Sequence, residues 1–249
     1  MTPADVPESG VRINGVAVAR SVPLRGPQKI VAERMAESRR TTAWVTAMAE
    51  ADVGPLLGLL GRLRERMPDL SLTHLLIKGT ALCLRRHPKL NATLADDVIH
   101  ELDEVNLSVA LSLPSDDLQI AVIREADEKP LKSIAEELRV LQERATAGKL
   151  KLGDVRGGTF TLSNYGMLRS VIWATPIITP GQVGVLGVAR AAPRIVPDVS
   201  EAGWALRSVL PLSLTYDHRV VNGVPAGRFL DDIAKTLSAD DWIQEEDRP

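Results

Sequence analysis

The 249-residue sequence has one cysteine, Cys83, so an intrachain disulfide and a thiolate metal cluster are both excluded. Aromatic residues make up 3% of the chain, too few for the stacking platforms that hold single-stranded nucleic acid. The formal net charge is −2, which offers no electrostatic case for nucleic acid or an anionic membrane. Its four histidines, His74, His87, His100 and His218, are dispersed and lack the i, i+4 spacing of a metal-binding pair. No metal is expected. No apolar run approaches the length of a membrane span, and the N-terminus lacks the basic and apolar segments of a signal peptide. A cytoplasmic location is the expectation. What is present is ordinary for a globular protein: 45% hydrophobic and 25% charged residues, enough to build a sizeable core.

The most informative stretch runs from Leu210 to Gly223. Leu210, Leu212 and Leu214 alternate with Pro211, Ser213 and Thr215, the two-residue period of a strand with one buried face. Past Gly223 the period changes, because Ala226, Phe229, Leu230, Ile233 and Leu237 fall at helical spacing. Asp217, His218 and Arg219 therefore lie where a strand gives way to a helix, and a histidine there can be held rigidly with its ring facing a cleft. Asn222-Gly223 is expected to supply positive-φ residues for a sharp reversal.

Elsewhere the chain reads as alternating helices and strands. Residues 1–20 form an expected flexible arm in which Val11–Val18 can pair as a short edge strand. Pro27 suits the first turn of a helix reaching about Arg39. Val53–Met67 reads as a leucine-rich helix, and Ser71 caps another that runs through Leu84. Val105–Leu113 and Leu118–Ile123 read as strands, and Pro130–Ala147 as a charged helix with a stripe of Leu131, Ile134, Leu138 and Leu141. Phe160 and Leu162 mark a strand that breaks at the corner Ser163-Asn164-Tyr165-Gly166. Gly184 and Gly187 lie inside the strand Val183–Val188 and predict close backbone packing, not a phosphate cradle.

Three of these stretches together resemble the catalytic domain of the dihydrolipoamide acyltransferases of 2-oxoacid dehydrogenase complexes. Asp217-His218-Arg219-Val220-Val221-Asn222-Gly223 matches that family's Asp-His-Arg-x-x-(Asp or Asn)-Gly, whose histidine core is shared with chloramphenicol acetyltransferases. Gly26, Lys29, Ala32, Arg34 and Met35 match its first motif, with Gln28 in place of an arginine. Gly157–Gly166 matches its serine corner, and Trp44 stands where a histidine is often found. The resemblance covers about residues 21–243 as one catalytic domain, leaving a polar tail at 244–249. It implies an α/β (α+β) fold, a mixed β-sheet flanked by helices of the chloramphenicol acetyltransferase type. It also implies a homotrimer with active sites between subunits.

The same resemblance assigns roles. His218 is the implied general base, since imidazole titrates near neutral pH. Ser163 is the implied hydroxyl donor to the oxyanion that forms on a thioester carbonyl. Asn222 shapes the histidine's turn, with Asp217, Arg219, Gly223 and Gln28 supporting the motif. Trp44, Met167, Leu168 and Trp173 are expected to line the substrate channel. Gln28 and Asn222 are expected to lie together, two amides where the family commonly pairs an arginine with an aspartate.

Three functions follow as expectations. The first is a stand-alone acyltransferase moving acetyl from a coenzyme A thioester, or from an acyl carrier protein, to a small-molecule hydroxyl or thiol. O-acetylation in bacterial tetronate-type biosynthesis is one such route. The second is the catalytic core of a 2-oxoacid dehydrogenase complex, exchanging acyl groups between lipoyl and coenzyme A. The third is a non-catalytic scaffold. No lipoyl group is expected on this chain, because about 20 residues before the first motif cannot hold a lipoyl domain.

Overall fold

The computed structural model describes residues 11–113, 118–198 and 203–243. Both the first ten residues of the expected arm and the expected tail at 244–249 lie outside the described residues. Within the arm, β1 (Arg12–Ile13) and β2 (Val16–Ala17) pair with each other around an Asn14-Gly15 turn with positive φ at both residues. They form a separate hairpin and do not join the main sheet.

A seven-stranded sheet organises the remainder. Its longest strand, β11 (Gly203–Asp217), pairs antiparallel with β3 (Trp44–Asp52) along its second half. On the other side it meets β10 (Ala192–Asp198) with its first half and β9 (Gly184–Val188) with its second. The order then continues through β8 (Phe160–Asn164) and β6 (Leu107–Ser112) to β7 (Leu118–Ile123). The β6–β8 and β8–β9 pairs are parallel and the others antiparallel, so the sheet is mixed as expected.

One face of the sheet is apolar. Leu210, Leu212, Leu214 and Tyr216 of β11 join a single core with α2 (Gly54–Leu63), α3 (Leu72–Arg86), α4 (Leu131–Thr146) and α6 (Gly223–Leu237). The buried stripes of α4 and α6 contain the residues their helical spacing predicts. Each fully buried Leu or Ile contributes roughly 1.5–3 kcal/mol, so this face holds the domain together.

The other face is polar. Ser213, Thr215 and Asp217 are buried there, although the alternation predicts one buried face only. Thr215 meets the Thr46 hydroxyl at 2.7 Å, and Ser213 meets the Tyr165 hydroxyl at 3.1 Å. Segment 165–182 covers this side, with Thr161 bonded to Gln182 (2.5 Å) and to Thr179 (3.1 Å). Two glycines allow close packing against the sheet, Gly184 on its apolar face and Gly187 on its polar one. A Cβ at Gly184 would lie 2.7 Å from the Phe160 ring, and one at Gly187 would lie 2.5 Å from the Ser213 hydroxyl. The expectation of close packing at both is met.

α3 carries a buried cation. Lys78, 1% exposed, donates from Nζ to the carbonyls of Asp127 and Lys129, both at 2.7 Å. This bond pair ties α3 to the loop that enters α4. Lys78→Met keeps the stem but orphans both carbonyls, so it is expected to destabilise by about 1–3 kcal/mol per group. Chemical denaturation of the two proteins checks this, and equal midpoints would refute it.

Candidate functional site at the ends of the polar sheet face

His218 follows the last residue of β11, and its backbone N–H donates to the Ala43 carbonyl at 2.8 Å. The reversal after it is built by Asp217. Its carbonyl accepts from the N–H groups of Val220 and Val221, each at 3.0 Å. Its carboxylate accepts from the N–H groups of Arg219 (3.1 Å) and Ala43 (3.3 Å). The Arg219 guanidinium closes the arrangement with bonds of 2.5–3.1 Å to both carboxylate oxygens. Asp217 thus acts as a turn residue and joins the His218 turn to the end of β3.

The expected positive-φ turn at Asn222-Gly223 is not what forms. Asn222 has φ −82° and ψ 167°, an extended residue that precedes α6, and Gly223 is that helix's first residue. The Asp217 turn has already reversed the chain, so Asn-Gly is free to start a helix. The Asn222 side chain makes no hydrogen bond among the described residues.

Burial alone pushes the Asp217 carboxyl up, but the Arg219 guanidinium, the Arg219 N–H and the Ala43 N–H outweigh it. The net effect holds the carboxyl below the ordinary range. A depressed folded-state pKa stabilises above the unfolded value, about 3.9, and that contribution is lost as pH falls through the folded one. Arg219→Gln removes much of the depression. Its acid-unfolding midpoint is expected at higher pH than that of the parent protein. Superimposable circular-dichroism titrations of the two would contradict this.

Ser163 lies on the same polar face, half-buried near the end of β8. Its hydroxyl makes no hydrogen bond among the described residues, leaving it available to a ligand. The corner beyond it is rigid, because Asn164 donates to the Thr73 hydroxyl at 3.0 Å and accepts from Gly166 N–H at 2.9 Å.

Sheet register measures the separation of the two residues. Ser163 pairs with Gly187, and Gly187 pairs with Ser213. His218 lies five residues farther along the chain, so it is about 17 Å away in the strand direction as well as two strands over. One chain therefore does not bring Ser163 and His218 to a single reacting atom.

Two clefts lie near these regions, one of them at His218. His218 lines an open one of about 640 Å³ with Arg39, Thr42, Ala43, Trp44 and Val45. A second, of about 1130 Å³, opens on the helix side of the sheet, lined by residues of α3 and α4 with Asn164, Gly166 and Met167 but not Ser163; its charged side chains are Arg66, Lys132, Arg139 and Arg190 with Asp69 and Glu136. Of the expected channel residues, Trp44 goes to the first cleft and Met167 to the second, while Leu168 and Trp173 line neither. Arg39 and the second cleft were missed by sequence reasoning. The signal for Arg39 was its place five residues before Trp44, which periodicity alone does not single out.

Gln28 lies in the first turn of α1 (Gly26–Thr41) and is exposed. The far end of α1 is the one that approaches Ala43 and His218, so Gln28 is about 20 Å away along the helix axis. No hydrogen bond joins Gln28 to Asn222 among the described residues. The expected amide pair does not form within the chain.

The family model for the 2-oxoacid dehydrogenases acyltransferase (catalytic domain) matches residues 17–243. The chain belongs to this family. Among curated relatives, the acetyltransferase component of the mitochondrial pyruvate dehydrogenase complex of Caenorhabditis elegans is 35% identical over 210 residues, 81% of this chain and 41% of that protein. The succinyltransferase component of the 2-oxoglutarate dehydrogenase complex of Haemophilus influenzae is 31% identical over 224 residues, 88% of this chain and 54% of that protein. This family member thus spans about half or less of the relatives' length. A crystal structure of the Azotobacter vinelandii dihydrolipoamide acetyltransferase superposes with TM-score 0.83 at 31% identity, covering 88% of this chain and 90% of that one. That enzyme was investigated for the role of a serine, a histidine and an asparagine in its catalytic mechanism, the last two four residues apart. Chloramphenicol acetyltransferase, TM-score 0.52 at 15% identity over 82% of this chain and 94% of that one, shares the fold.

Among the described residues no group of three or more His, Cys, Asp or Glu side chains is placed to hold a metal ion. No described helix is long and apolar enough to cross a membrane.

Proposed function

We propose that this family member is an acyltransferase core that moves an acyl group between a coenzyme A thioester and a dihydrolipoyl thiol. The observation that carries the reading is the pair of separated residues on one sheet, His218 exposed in its own cleft and Ser163 on the polar face with a hydroxyl that has no partner among the described residues. A head-to-tail ring of three chains would set the Ser163 end of one subunit against the His218 end of the next. Exposed apolar side chains support such an assembly. Ile30 and Val31 of α1 are each 54% exposed, and Ile195, Trp204 and Leu206 on β10 and β11 exceed 70%.

In that composite site His218 accepts the proton of the attacking thiol, and the thiolate adds to the thioester carbonyl. Ser163 donates a hydrogen bond from its hydroxyl to the oxyanion, which then collapses and expels the other thiolate. The protonated His218 returns its proton to that leaving sulfur. In the larger cleft, Arg66, Lys132, Arg139 and Arg190 outnumber Asp69 and Glu136, an excess of positive charge that suits the phosphates of coenzyme A. Asn222, four residues after His218, occupies the spacing of the asparagine studied in the Azotobacter enzyme.

The relatives favour a dihydrolipoyl acceptor over the small-molecule hydroxyl expected from the sequence. Those described above are components of 2-oxoacid dehydrogenase complexes, and none speaks for tetronate O-acetylation or an acyl carrier protein. The test is thioester formation on dihydrolipoamide from acetyl-CoA or succinyl-CoA, followed with release of free coenzyme A. Turnover with either donor supports the reading. Loss of the thioester only to water would overturn it.

A further inference from the structure

The His218 cleft contains a cation whose charge the acyl-transfer chemistry does not use. Arg39 stands at the end of α1 with its guanidinium stacked on the Trp44 ring, 3.9 Å from the centroid. Stacking fixes the guanidinium against one ring face and leaves its in-plane N–H donors pointing outward. Arg39 has no carboxylate partner among the described residues. The six residues lining the cleft, Arg39, Thr42, Ala43, Trp44, Val45 and His218, include no acid. Trp44 is itself held, because β-sheet register pairs it with Asp217, the residue that builds the His218 turn.

We propose that Arg39, positioned by Trp44, binds an anionic oxygen group of a substrate beside His218, so that this enzyme prefers a charged substrate over its neutral counterpart. The inference rests on the proposed transfer at His218 and adds the class of molecule bound there. A carboxylate suits the fork geometry of a guanidinium, and a cleft without acids does not repel it. The charge can arrive from two sources with the same chemistry: a terminal carboxylate on the acyl chain, or a carboxylate on the thiol acceptor.

Two pairs of probes separate these sources. With dihydrolipoamide as acceptor, succinyl-CoA is compared with acetyl-CoA. With acetyl-CoA as donor, dihydrolipoate is compared with dihydrolipoamide. A charge-assisted hydrogen bond corresponds to roughly 10–100-fold in kcat/KM. The charged-over-neutral ratio of one pair is expected to fall by about that factor in Arg39→Gln, and by less in Arg39→Lys, which keeps the charge but loses the fork. The pair that responds identifies the source. A contribution of Arg39 to coenzyme A's own phosphates would affect both members of a pair alike and cancel in the ratio. Ratios that stay within about threefold for both pairs would overturn the proposal. If the parent protein turns over no thioester, the acyl-transfer reading is what fails. Calorimetric binding of dihydrolipoate and dihydrolipoamide to the parent and Arg39→Gln proteins then decides the inference: tighter binding of the acid, lost in the variant, upholds it, and equal binding refutes it.

Discussion

Replacing His218 with alanine is expected to lower turnover by about 10²–10⁴-fold while the protein remains folded. The ring is exposed at the edge of a cleft, so its loss opens no cavity in the core. The turn that carries it is held by the backbone N–H of His218 and by Asp217, and neither depends on the imidazole. Stability within about 0.5 kcal/mol of the parent is therefore expected. The kinetic loss falls on kcat, because a general base acts in the transition state and contributes little to ground-state binding. A folded His218→Ala protein with parental turnover would remove the histidine from the mechanism.

Ser163→Ala is expected to cost about 10²–10³-fold, the range for losing one oxyanion donor. Its hydroxyl has no partner among the described residues, so the substitution breaks no bond in the resting protein. The Tyr165–Ser213 bond and the Asn164 bonds still fix the corner. The loss again falls on kcat, since the oxygen it serves becomes fully charged only along the reaction. Ser163→Cys, which supplies a weaker donor in the same place, is expected to recover a small part of it. Parental turnover in folded Ser163→Ala would make the serine a turn residue and nothing more.

Much of the fold is legible in the sequence where one face alone meets the core. The stripes of α4 and α6 give helical spacing because their other sides face solvent. The β4–β5 hairpin (Ala92–Ala95 and Val98–Glu101) escapes that reading because β5 is exposed throughout and carries no alternation to detect. Its signal is the pair Asp96-Asp97, both at positive φ in the two-residue turn. β10 escapes for another reason: Pro193 and Pro197 argue against a strand. They are tolerated because β10 is an edge strand, with no partner on its outer side among the described residues. Pro211 lies inside the central strand, between the run paired with β10 and the run paired with β9.

The candidate site is legible only in its residue types. The strand ending at His218 and the corner at Ser163 are both where the sequence places them. Their separation depends on the register of β8, β9 and β11, a long-range property that no local pattern encodes. The Asn222-Gly223 turn fails because a buried carboxylate five residues earlier, Asp217, takes over the reversal through partners at Ala43 and Arg219. A carboxylate within a strand-end motif gives no hint of those partners.

The proposed composite site takes Ser163 from one chain and His218 from the next. Mixing the two inactive variants tests it most directly. Each mixed trimer of Ser163→Ala and His218→Ala subunits contains one site with both residues intact. Equal amounts, fully exchanged, are therefore expected to regain about a quarter of parental activity. Native mass spectrometry verifies the exchange, and each variant exchanged with itself should remain inactive. No recovery in verified mixed trimers, or full activity in a monomeric parent protein, would contradict the account.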